Sequence, residues 1–278
     1  MSGIGRHGAE SALIGSVTAI LIALILAPIA IVVVMSFTAA STLQFPPPGF
    51  SLRWYLEVWH MATGDAASLT RLTESFRVSV AIAALTAFLC VLASVPASYA
   101  LVRYRFPGRS AVEELLGLPI VFPAVVLGIA LLILVSVSGI EFGLWQIVAA
   151  HAITFLPFTM RNCITALKGV DPELEEAAKT LGASPLRTFV EIVLPLMRAG
   201  IAWGVLLVFI LSFNEFTLSY FLYTVDVFPL SIWLFQQSNT SFSPAIFAVS
   251  ALTIFFNIGI ILTVDAIVGK RGGAHIRS

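Results

Sequence analysis

Between Glu10 and Arg53 the chain carries no charged side chain. Its dense apolar part, Leu13–Met35, is long enough to cross a bilayer core of about 30 Å as a helix, which needs about 20 residues. The same pattern returns along the chain. Val78–Val102 lies between Arg77 and Arg103, Leu115–Ile140 between Glu114 and Glu141, and Phe142–Met160 runs up to Arg161. A fifth run follows Arg198 to about Leu222 with Glu215 inside it, and a sixth covers about Pro244–Val268 with Asp265 near its end. These runs are continuous, whereas the strands of a membrane barrel alternate over roughly ten residues. Composition agrees: 59% of the residues are hydrophobic and only 11% charged, against about a quarter charged in soluble domains. That excludes an ordinary soluble enzyme, a disordered chain and a small disulfide scaffold. The formal net charge of +0 excludes a basic nucleic-acid binder.

The expected fold is an all-α polytopic membrane protein with six transmembrane helices. The spans are placed at 13–35, 76–102, 113–136, 142–162, 200–222 and 244–268. A tail at 1–12 precedes them. Loops fall at 36–75, where the aromatic run Trp54-Tyr55 to Trp59 suits a short interfacial helix, at 166–199, and at 223–243. Leu13–Met35 is too long for the apolar region of a cleaved signal peptide, about 7–15 residues. Of the 15 Lys and Arg, only Arg53, Arg71 and Arg77 fall on one side of this topology. The positive-inside rule therefore places both termini and the 166–199 loop in the cytoplasm, and the 36–75 and 223–243 loops in the periplasm. Cys90 and Cys163 sit in or beside apolar runs with no metal-ligand spacing and read as inert buried thiols. Pro96, Pro123 and Pro157 should kink the second, third and fourth helices.

The 166–199 loop is the sizeable polar segment. Asp171-Pro172-Glu173 reads as a helix start, with an N-cap followed by Pro at the first helical position. Leu174, Ala177, Ala178 and Leu181 recur at helical spacing as one apolar stripe, and Gly182 is suited to end the helix. Ser184-Pro185 starts a second helix, which Leu194-Pro195 should close. A helix this short is marginal alone, so either it lies on the membrane surface as a connector or a partner holds it.

Glu176-Ala177-Ala178, Gly182, Ile192 and Leu194-Pro195 match E-A-A-x3-G-x9-I-x-L-P in residue type and spacing. On that match the chain resembles the membrane subunits of binding-protein-dependent ABC importers, with a type I permease core over about 70–268. The resemblance implies that Glu176, Ala177, Ala178, Gly182, Ile192, Leu194 and Pro195 couple the chain to a cytoplasmic ATPase dimer. It also implies a second permease subunit, like or unlike with a homologous heterodimer favoured, a periplasmic or lipid-anchored substrate-binding protein, and residence in the bacterial inner membrane among its lipids. Gly269-Lys270 is followed by Arg271, so no phosphate-binding loop is present. ATP and Mg belong to the partner subunit, and no cofactor, metal or catalytic residue is expected on this chain.

A carboxylate inside a span is costly and turns away from lipid. Glu215 therefore faces either the solute path or a packed bundle interior. Asn214 and Phe213 beside it and Asn257 in the sixth span complete the candidate path, although Asn257 could equally bond a neighbouring helix, and His151 reads as a satisfied interior residue. Lys179-Thr180-Leu181-Gly182-Ala183-Ser184 looks like the form found in polyamine, ferric-iron, molybdate and sulfate permeases. Phe213-Asn214-Glu215-Phe216 with Phe228-Pro229-Leu230-Ser231-Ile232-Trp233 most resembles the spermidine/putrescine group, although Phe228 and the single acid depart from it. Function is expected as ATP-driven import of a small polar solute, polyamine-like, by alternating access. Ferric iron, a phosphonate or another small ion is the alternative within the class. A stand-alone secondary transporter is the alternative outside it, and would need coupling-ion sites or paired broken helices.

Overall fold

The apolar runs fold as helices. The structure, a computed structural model, describes residues 4–63, 71–240 and 243–272, apart from the side chains of 4–13 and 270–272. Residues 1–3 of the tail, 64–70 of the first outer loop, 241–242 of the second, and Arg277 lie outside the described residues. In order, the helices are α1 (Ile4–Ser36), α2 (Arg53–Thr63), α3 (Arg71–Arg103), α4 (Arg109–Gly117), α5 (Ala124–Ser138) and α6 (Leu144–Lys168). Then come α7 (Pro172–Thr180), α8 (Pro185–Thr188), α9 (Leu194–Phe213), α10 (Thr217–Leu222), α11 (Leu230–Thr240) and α12 (Ala245–Gly272). Among the described residues five helical spans are long and apolar enough to cross a membrane, and a bent helix pair passes the same length and apolarity test only when its two halves are taken together. Pairing of β type there is confined to one bridge, Thr38 with Phe50.

The chain divides into two compact units, Met1–Leu69 with Gln236–Phe256, and Thr70–Phe235 with Asn257–Ser278. In the first, α1 leaves Ile14, Leu24 and Ile25 about two-thirds exposed, an apolar surface that only lipid solvates without penalty. The Pro-rich segment after it is closed by Ala39 N–H to Gly49 O (2.9 Å) and Ser51 N–H to Phe37 O (2.7 Å). Tyr55 ties α2 back through a 2.7 Å hydrogen bond with Ser36, and α2 buries Trp54 and Val58, one turn apart on a single face.

In the second unit α3, α6 and α9 pack on one another. Eight of the twelve buried residues of α3 are small, Ser75, Ser79, Ala83, Thr86, Ala87, Cys90, Ser94 and Ser98, and they let a neighbouring backbone come close. Cys90 Sγ and Ser94 Oγ donate to the carbonyls of Ala152 (3.6 Å) and Leu156 (3.4 Å) of α6. Gly200 and Gly204, spaced G-x-x-x-G, do the same for α9. A Cβ on Gly200 would stand 2.4 Å from Ala166 Cβ and 3.1 Å from Asn162 O. Three apolar clusters lie along this seam, around Ile82 and Ile147, around Cys90 and Val208, and around Val95, Leu167 and Met197.

Four local expectations need correction. The stretch 113–136 is not one helix. It is α4, a 3-10 turn over Leu118–Ile120, and α5, with a 99° bend between the two halves. Pro123 precedes α5 in an extended conformation (φ −56°, ψ 130°) and cannot carry the helix through. The stretch 200–222 is broken at 214–216, so Glu215 lies between α9 and α10 rather than inside a helix. Leu194-Pro195 does not end the loop's second helix. The chain runs from α8 through a π turn at Phe189–Val193 into α9. Pro195 lacks the N–H that a regular turn needs, and the wider turn, with Leu194 N–H on Phe189 O, precedes it. Of the apolar stripe on α7 only Ala178 is buried, while Leu174, Ala177 and Leu181 are exposed. Pro96 and Pro157 sit inside unbroken helices.

Candidate functional site

Two polar centres stand out in the second unit, one at the α9–α10 break and one at α7. At the break, the side chains of Asn214 and Glu215 compete with the backbone for hydrogen bonds, a common reason for a helix to stop. Asn214 Nδ2 donates to Ile210 O (2.7 Å). Glu215 Oε2 accepts the N–H groups of Leu218 (2.8 Å) and Ser219 (3.2 Å), the first-turn donors of α10 that would otherwise be orphaned. Ser231 Oγ donates to Glu215 O at 2.9 Å, fixing the break to α11.

Behind the break lies His151 of α6, almost fully buried. Its Nδ1 is 2.8 Å from Ser212 Oγ, its Nε2 is 3.2 Å from Ser219 Oγ, and Nε2 is 3.6 Å from Glu215 Oε2. One imidazole thus ties the end of α9, the start of α10 and the carboxylate between them. In front, Asn214 and Asn257 of α12 pair amide to amide at 3.4 Å in both directions, and Asn214 is exposed. Phe213 is buried, stacked on Phe209 (6.1 Å) and edge-on to Phe76 (5.8 Å). The structure therefore brings Asn214, Glu215 and Asn257 to one place and turns Phe213 into the packing.

At the other centre, Asp171 Oδ1 accepts Glu173 N–H (2.9 Å) to start α7. Gly182, at φ +85°, ends it. Gly182 N–H bonds Lys179 O (2.9 Å) and Ala183 N–H bonds Ala178 O (3.0 Å), the paired closure of a Schellman turn, which needs the left-handed residue between. Ser184 Oγ then accepts Arg187 N–H (3.3 Å) to open α8. Glu176, Ala177, Leu181, Gly182 and Pro195 face outward, while Ile192 and Leu194 are half-buried. Leu194 packs on the cluster around Leu167 and Met197.

What holds α7 down is Glu175, only 4% exposed. Its Oε1 takes Arg103 Nε at 2.7 Å and its Oε2 takes the Tyr99 hydroxyl at 2.8 Å. Arg103 Nη2 donates in addition to Val170 O (2.8 Å) and Leu167 O (3.4 Å). Sequence reasoning missed this role for Glu175, Arg103 and Tyr99, because residues some seventy positions apart leave no periodic trace. It also missed that His151 is the partner of Glu215. A lone His in an apolar span facing an acid in another was the available signal.

Among the described residues no group of three or more His, Cys, Asp or Glu is placed to hold a metal.

Comparison with known proteins adds the family. Residues 91–270 match the family model "Binding-protein-dependent transport system inner membrane component". The spermidine/putrescine transport system permease protein PotC of Haemophilus influenzae is 30% identical over 80% of this chain and 84% of that protein. The molybdate/tungstate transport system permease protein WtpB of Thermococcus kodakarensis is 33% identical over 71% and 79%. Among solved structures, a bacterial ABC transporter involved in import of the acidic polysaccharide alginate superposes with a TM-score of 0.70 at 20% identity, over 97% of this chain and 98% of that one. The helical fold, the apolar spans and the family match agree, and the chain belongs to the binding-protein-dependent transport system inner membrane components, as a multi-pass permease subunit of an ABC importer.

Proposed function

We propose that the chain moves a polyamine-like solute across the inner membrane by alternating access. The motion is driven by an ATPase dimer seated on α7 and shared with a second permease subunit and a substrate-binding protein. The observation that carries this reading is the two-sidedness of α7. Glu175 and Ala178 lock one face to the chain's own spans, while Glu176, Ala177, Leu181 and Gly182 stand exposed on the other. A helix of nine residues capped by a Leu that is 89% exposed is shaped to enter a groove. Single cysteines test it. Leu181→Cys and Ala177→Cys should crosslink to an ATPase subunit in native membranes, and Ala178→Cys, which faces inward, should not. Absence of any ATPase adduct at Leu181 and Ala177 would remove the reading.

Solute chemistry is supported by the PotC relatives and by a carboxylate at the break. The exposed polar surface there is the Asn214–Asn257 amide pair, with Glu215 bracing it from behind. On this reading Asn214 and Asn257 line the path and Glu215 holds the break open. Uptake of labelled putrescine or spermidine by the assembled transporter, competed by excess unlabelled polyamine and not by molybdate, is the expected result. Molybdate uptake without polyamine uptake would reverse the assignment.

A further inference from the structure

The geometry points to Arg103 and Glu175 as positioning residues that make α7 move as one body with the inner ends of α3 and α6. This rests on the reading of α7 as the ATPase-docking helix. The contacts are specific. Both carboxylate oxygens of Glu175 are used, one by Arg103 Nε at 2.7 Å and one by the Tyr99 hydroxyl at 2.8 Å, and both donors belong to α3. Arg103 reaches on to Val170 O and Leu167 O, at the end of α6 and in the link to α7. Tyr99 in turn lies edge-on to Phe189 of the π turn that leads into α9 (4.9 Å). Four helical elements therefore meet at one ion pair.

Such a pair is a poor device for stability alone. Desolvating two charges offsets most of their attraction, and well-packed apolar groups often do as well. What it supplies is direction, because a guanidinium and a carboxylate meet in few orientations. The loop from Gly169 to Asp171 is three residues long and by itself would let α7 swing. With the pair in place, a push on the exposed face of α7 is delivered to α3 and α6 instead of being absorbed in that loop.

The test uses the whole transporter with its ATPase, second permease and binding protein. Spin labels are placed at Arg161→Cys on α6 and Lys179→Cys on α7, both exposed. Cys90 and Cys163 are buried and should stay unlabelled. In the parent the inter-label distance should be narrow and equal in the nucleotide-free and ATP–vanadate-trapped states. In Glu175→Gln and Arg103→Gln it should broaden at least twofold and differ between the states, with the ATPase still bound and hydrolysing ATP within threefold of the parent. Tyr99→Phe, which removes one hydrogen bond and keeps the ring, should broaden it less and covers the case in which a Gln variant fails to assemble. Unchanged narrow distances in the assembled variants would overturn the assignment. So would broadening that is the same with and without trapped nucleotide. A parent complex that binds no ATPase would remove the docking reading itself and this assignment with it, an outcome distinct from either.

Discussion

Gly182 holds a backbone conformation that few other residues adopt, and Glu215 spends its side chain on the first N–H groups of α10. At φ +85° an L side chain costs roughly 1–2 kcal/mol, and a β-branched one is a genuine outlier. Gly182→Val should therefore misplace the turn after α7. The expected outcome is normal membrane insertion with at least tenfold lower solute uptake, measured as uptake per inserted protein. Gly182→Asn should keep more activity, since Asn tolerates the left-handed region. Space is no obstacle, as nothing lies within 4 Å of the added Cβ, so normal uptake by the Val variant would show that the turn conformation does not matter for coupling. Glu215 acts as the cap of α10, and loss of a capping side chain costs about 1 kcal/mol. Glu215→Ala should lower the melting midpoint of the purified protein in detergent. Glu215→Gln, whose amide oxygen can accept the same N–H groups, should lower it less and keep uptake within about threefold. Uptake lost in Glu215→Gln at unchanged stability would put the charge itself on the path.

Helices α6 and α9 owe their contact to glycine. With Ala166 Cβ 2.4 Å from where a Gly200 Cβ would stand, even Gly200→Ala forces the helices apart. Overpacking of this kind typically costs about 1–3 kcal/mol. Gly259→Ala on α12, with nothing within 4 Å, should be neutral. Melting of the two variants side by side checks the contrast, and equal midpoints would mean that the helices separate freely. The helices themselves were legible in the charge-free runs, because lipid demands length and apolarity and little else. Their interruptions were less so. A run such as 200–222 is equally apolar whether or not it stops at Asn214, and the stop is decided by Glu215 reaching Leu218 and Ser219 and by His151 behind it. Pro123 marked a kink, but the 99° bend goes with packing no spacing reveals, such as Gly128 of α5 against Phe221 of α10. In the 166–199 loop the spacing singled out candidate residues such as Glu176, Ala177, Ala178 and Gly182. Which face of α7 they occupy depended on Glu175 finding Arg103, a partner with no positional signature.

Unequal charge gives an expectation for how the chain is oriented. Arg103, Arg105, Arg109, Lys168, Lys179 and Arg187 lie in or beside the segments expected to share a side with α7, and the positive-inside rule expects such residues in the cytoplasm. Arg53 of α2 and Arg71 and Arg77 of α3 are the basic residues expected on the opposite side. Arg71 is engaged there, donating to Val225 O at 3.1 Å and lying 4.7 Å over the Phe228 ring. The two native thiols are buried, so single introduced cysteines report topology against a silent background. Cysteines at Leu43 and Val225, both more than half exposed, should react with a membrane-impermeant maleimide in intact spheroplasts. Cysteines at Lys179 and Arg109 should react only after the membrane is opened. The reverse pattern would put α7 outside, out of reach of any cytoplasmic ATPase, and no push from nucleotide could then arrive through Glu175 and Arg103. Mixed labelling at Leu43 and Val225, with Lys179 reactive from outside, would mean that the bent α4–α5 pair does not cross, since removing that crossing alone moves Val225 to the side of Arg109 and Lys179 to the side of Leu43.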